Sequence, residues 1–116
     1  MLEYQPIDGL FRALAEPARR AIVERLSAGP ASVSDLAAPL PMSLAAVVQH
    51  VQALEEAGVV TTQKVGRVRT CSLAPNAFDA VFDWLTKHRL RIEQRFDRLG
   101  DVLDELYPDD SKDEDQ

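Results

Sequence analysis

The side chains able to do chemistry are few and scattered. One cysteine, Cys71, and two histidines, His50 and His88, are the soft or readily titrated groups, and no GxGxxG, phosphate-loop or GxSxG run accompanies them. An enzyme is therefore not expected, and neither is a cofactor or a metal. The concentrated signal is basic and amide in character. Lys64, Arg67 and Arg69 cluster about Val65-Gly66, and Gln49 and Gln52 precede them in the run SLAAVVQHVQALEE. Ammonium and guanidinium groups suit phosphates, whereas amides can pair bidentately with base edges. Between Arg25 and Lys64 there is no lysine or arginine. Base readout would then rest on Ser43, Gln49 and Gln52 with apolar contact from Ala45 or Val48, and phosphate neutralisation on Lys64, Arg67 and Arg69, with Arg12, Arg19 and Arg20 as further candidates. His50 falls beside Val47, Val51 and Leu54 and reads either as a packing residue or as a phosphate or base contact. Cys71 reads as a small strand residue, with redox sensing as the alternative.

These groups need elements to position them. Ile7, Leu10, Phe11 and Leu14 recur at helical spacing over Pro6 to Ala15. Pro17 suits the first turn of a second helix running to Leu26, because its missing N–H would have no intrahelical partner there. Ser32 and Asp35 form a capping pair for a short third helix to about Leu40. Ser43 caps a fourth to about Ala57, which Gly58 can end. In that fourth helix Val47, Val51 and Leu54 form the buried stripe, and Ala45, Val48, Gln49 and Gln52 face outward. Two β-prone runs around Gly66 predict a hairpin, on which Arg67 and Arg69 would share one strand face. Asn76 and Asp79 pose as a second capping pair, opening a helix from about Ala77 to Leu106. Its seam of Phe78, Phe82, Leu85, Ile92, Phe96, Leu99, Leu103 and Leu106 exceeds what a small body can cover, so a second copy is expected on it.

With 116 residues, 46% of them hydrophobic, the chain suits one domain over residues 1–107. Residues 108–116 are expected to form a disordered acidic tail. The net charge is -6, yet residues 101–116 hold eight acids against one base, which leaves residues 1–100 near neutrality. A lone cysteine excludes an internal disulfide. No apolar run approaches the roughly 18 residues of a membrane span, so no membrane partner and a cytoplasmic location are expected.

The stretches EPARRAIVERL at 16–26, SLAAVVQHVQALEEAGVV at 43–60 and GRVR at 66–69 together resemble the ArsR/SmtB family of bacterial repressors. The resemblance implies a mainly α fold with a β-hairpin wing, a winged helix-turn-helix carrying a long C-terminal dimerisation helix. It further implies a homodimer paired through its first and last helices, with Leu10, Phe11, Phe82, Leu85, Ile92, Phe96, Leu99 and Leu103 at the interface. The partner would be double-stranded DNA bearing a palindromic operator, and an unidentified small-molecule effector is a further candidate. The chain departs from the family's metal sensors. Residues 31–36, ASVSDL, hold no thiolate, and the last helix lacks the paired Asp-x-His and His-x-x-Glu ligands. Two functions follow: a dimeric sequence-specific DNA-binding regulator acting as a repressor, or a winged-helix interaction module that has lost DNA binding.

Overall fold

The computed structural model describes residues 3–107, the Leu90 side chain excepted, so the expected acidic tail at 108–116 lies outside the described residues. In chain order the elements are α1 (Pro6–Leu14), α2 (Pro17–Leu26), β1 (Ala31–Ser32), α3 (Val33–Ala37), α4 (Leu44–Glu56), β2 (Val60–Val65), β3 (Val68–Leu73) and α5 (Asp79–Leu106). They divide into two units, one reaching Val81 and one starting at Phe82.

Punctuation in the sequence sets the helix ends of the first unit. Pro17 occupies the first turn of α2, and the Ser32 and Ser43 hydroxyl oxygens each accept a backbone N–H three residues on, from Asp35 and Ala46 at 3.1 Å. Such a cap satisfies a donor that the helix cannot, and each is worth about 1 kcal/mol. Gly58, at φ 80°, takes the left-handed conformation that stops α4 and admits β2. The α4 stripe Val47, Val51 and Leu54 is buried with Ile22 and Leu26 of α2, Leu36 of α3, and Val59 and Val60. Each such aliphatic side chain contributes about 1.5–3 kcal/mol when removed from water. α3 is shorter than expected, closing at Ala37 before Pro39.

The hairpin is present and is part of a larger sheet. β3 lies between β1 and β2 in an antiparallel sheet of order β1-β3-β2. Ala31 pairs with Cys71 and Ser32 with Thr70, so Ser32 ends a strand and caps a helix at once. Cys71 sits at the sheet centre, opposite Thr62 on one side and Ala31 on the other, and is fully buried. Gly66 at φ 62° begins the two-residue turn between Val65 and Val68, the position at which a hairpin turn needs a residue free of a Cβ. Arg67 belongs to that turn and not to β3, which corrects the expectation that strand alternation would orient it with Arg69.

The last helix also begins later than expected. Asn76 has φ 60°, which is not an N-cap conformation, and Ala74 to Phe78 form turns closed by backbone bonds from Ala77 to Ala74 and from Asp79 to Asn76. The Asn76–Asp79 spacing mimicked a capping pair without being one. Phe78 and Val81 pack on the core of the first unit. The second unit is the rest of α5, about 42 Å of helix for the whole 28-residue element. Phe82, Leu85, Ile92, Phe96, Leu99, Leu103 and Leu106 are all exposed along it, Phe96 at 66%. Between Leu85 and Ile92, His88 sets its ring 4.4 Å from that of Trp84, and Arg89 pairs with Glu93 at 2.7 Å.

Candidate nucleic-acid interface

Two stripes of α4 escape the core. Leu44, Val48 and Gln52 form a row at four-residue spacing, with Ala45 and Gln49 on the adjoining row. All are exposed except Val48, which is half-buried. The first row borders an open groove of about 550 Å³, whose other walls are Ser32, Val33 and Ser34 at the start of α3 and Arg67, Val68 and Arg69 of the wing. Four expected site residues, Val48, Gln52, Arg67 and Arg69, are thus brought together. Ser43, Ala45, Gln49 and Lys64 are exposed nearby in the chain but do not line the groove. Ser43 already serves as the cap of α4.

His50 leaves that group. It lies on the flank of α4 that faces α2, half-buried, with Nδ1 accepting a hydrogen bond from Arg19 Nε at 3.2 Å. That bond supports the packing reading of His50. Leu10 is likewise enclosed in its own core at 5% exposure, leaving Phe11 as the more exposed of the α1 pair.

The cations divide in the same way. Arg19 is held by His50, Arg20 donates to the Leu14 carbonyl at 2.7 Å, Arg25 donates to the Gly29 carbonyl, and Arg12 lies 5.4 Å from the Tyr4 ring centre. Among the described residues the side chains of Lys64, Arg67 and Arg69 make no hydrogen bond or ion pair, and all are exposed. Lys64 and Arg69 stand directly opposite each other across the hairpin. Like charges so placed repel, and a polyanion laid against them relieves the repulsion. The wing is joined to α4 by Thr62, whose hydroxyl donates to Glu55 at 2.7 Å.

Burial pushes the Cys71 thiol above its ordinary range, and the Glu55 carboxylate adds to that rise while Arg69 opposes it. Such a thiol is a poor nucleophile. No cluster of three His, Cys, Asp or Glu side chains able to hold a metal occurs among the described residues. None of the described helices is long and apolar enough to cross a membrane.

Comparison with known proteins agrees with this geometry. A helix-turn-helix domain model matches residues 14–63, which span α2 to the first half of the wing. The HTH-type transcriptional regulator Rv2034 of Mycobacterium tuberculosis is 42% identical over 81 residues, 70% of this chain and 76% of that protein. The transcriptional repressor SdpR of Bacillus subtilis is 24% identical over 79 residues, 68% of this chain and 88% of that protein. The crystal structure of the ArsR family transcriptional regulator RHA00566 matches with a TM-score of 0.73 and 45% identity, over 77% of this chain and 98% of that one. The chain belongs to the ArsR family of winged helix-turn-helix transcriptional regulators.

Leu44 and Val68 were not singled out by sequence reasoning. Exposed aliphatic residues beside a core stripe look like its margin, and only the approach of the wing to α4 reveals a shared wall.

Proposed function

We propose that this regulator is a homodimer that binds a palindromic DNA operator in a sequence-specific manner and acts as a repressor. The observation that carries this reading is the groove in which the outward row of α4 meets the unpaired wing cations Arg67 and Arg69. In this reading α4 enters the major groove, Gln49 and Gln52 meet base edges, and Lys64, Arg67 and Arg69 meet phosphates or the neighbouring minor groove. The exposed seam of α5 supports pairing with a second copy, together with Phe11. Two-fold symmetry would then set the two α4 helices about 34–36 Å apart on successive major grooves. Repression is supported by the likeness to SdpR, itself a transcriptional repressor.

The absence of cations from residues 26–63 favours a second reading, an interaction module with the winged-helix shape and no DNA binding. Binding of the purified protein to the DNA upstream of its own gene, over a range of salt, separates the two. Salt-dependent binding with a discrete footprint supports the regulator, and no binding at low salt supports the module.

A further inference from the structure

The groove between α4 and the wing has a chemical character beyond its charge. Leu44 is 52% exposed and Val68 is 51% exposed, and with half-buried Val48 they line one continuous channel. Large aliphatic side chains held in water on both walls of a groove contribute little to the protomer's own stability. The polar groups beside them are the neutral amide of Gln52 and the hydroxyl-bearing residues Ser32 and Ser34, while positive charge enters from the wing side alone, through Arg67 and Arg69. Among the described residues no acidic side chain lines the groove.

This composition suits one base pair better than the other. Guanine offers O6 and N7, which are best met by arginine or lysine; α4 has neither, and the DNA-binding reading places Arg67 and Arg69 of the wing on phosphates. Cytosine offers an N4 amino donor, best met by a carboxylate, and none lines the channel. Adenine offers N6 and N7 to an amide, and thymine offers a C5-methyl group to an apolar surface. Resting on the DNA-binding reading above, with the wing cations on phosphates at the edge of the major groove, we propose that Leu44, Val48 and Val68 form a receiving surface for thymine C5-methyl groups, so that A·T pairs are the discriminating positions of each half-site. The duplex is the occupant that the wing's charge and the groove's open side favour. Neither Leu44 nor Val68 has a role in the wing-and-helix reading without it.

The test uses the full-length protein and the upstream duplex it footprints. Each thymine under the footprint is replaced singly by deoxyuridine, which removes the methyl group and leaves the pairing intact. At one or two positions in each half-site the affinity should fall about three- to fivefold, the worth of one buried methyl group. Leu44→Ala, at a half-exposed position that the fold does not need, should reduce that penalty to under twofold at one of those positions. Val68→Ala should do the same at another. If the parent duplex is footprinted and every deoxyuridine duplex binds as tightly, the methyl-reading surface is wrong while DNA binding stands. If deoxyuridine weakens binding but Leu44→Ala, Val48→Ala and Val68→Ala all keep the full penalty, the assignment to these residues is overturned. If no upstream duplex is bound even at low salt, the DNA-binding reading fails and this proposal with it.

Discussion

The Thr62 hydroxyl donates to a carboxylate oxygen of Glu55 at 2.7 Å, fastening the first strand of the wing to the last turn of α4. The turn and second strand of the same wing line the groove with α4 and residues 32–34, so the bond helps to hold the wing cations beside the outward row of α4. Thr62→Val keeps the shape and all charges while deleting the donor. It should cost about 0.5–1.5 kcal/mol of folding stability. On DNA it should weaken operator binding a few-fold, with the salt dependence unchanged because every wing cation is retained. Chemical denaturation and fluorescence anisotropy on the same preparations check both parts.

The bond from Arg19 to His50 makes a contrasting prediction. It ties α2 to α4 on the flank away from the groove. His50→Ala should lower stability by about 1 kcal/mol and leave the ratio of operator to random-DNA affinity unaltered. A fall in that ratio without a fall in stability would return His50 to the base-reading group.

Much of this arrangement is legible in the sequence, for local reasons. Pro17, Ser32, Ser43 and Gly58 act within a few residues of themselves, and the helices they bound fall where they dictate. What the sequence hides depends on distant chain. β1 exists because β3 arrives beside Ala31, and two residues carry no strand pattern of their own. Asn76 and Asp79 have capping spacing, yet Asn76 takes φ 60° and the helix starts at Asp79. The groove residues Leu44 and Val68 acquire meaning only once the wing folds toward α4.

Cys71 links burial to pH. Its folded-state pKa is raised, so the folded protein prefers the neutral thiol. Below the unfolded value of about 8.5 the thiol is neutral in both states and this contribution to stability is fully present. As pH rises from there toward the folded pKa, the unfolded chain ionises first and stability falls. Denaturation midpoints from pH 7 to 10 should therefore decline, and Cys71→Ala should flatten that part of the decline. A thiol reagent at pH 8 should react slowly with the native protein and fast with the unfolded chain.

Phe96 is 66% exposed at the middle of the α5 seam. If that seam pairs with a second copy, Phe96→Asp places a charge in the apolar interface, and the variant should sediment as a monomer where the parent is a dimer at micromolar concentration. A parent chain that is itself monomeric there would remove the basis for a two-fold operator.

The central claim, that the wing cations bind phosphates while α4 reads bases, is tested most directly by salt-dependent affinity on operator and on random DNA. Arg67→Ala or Arg69→Ala should weaken binding to both alike and lower the salt slope by about 0.9 for each phosphate left without its cation. Gln49→Ala should cost about 1–3 kcal/mol on the operator and little on random DNA, with the slope unchanged. Equal losses on both DNAs for Gln49→Ala, or an unaltered slope for both arginine variants, would contradict the account.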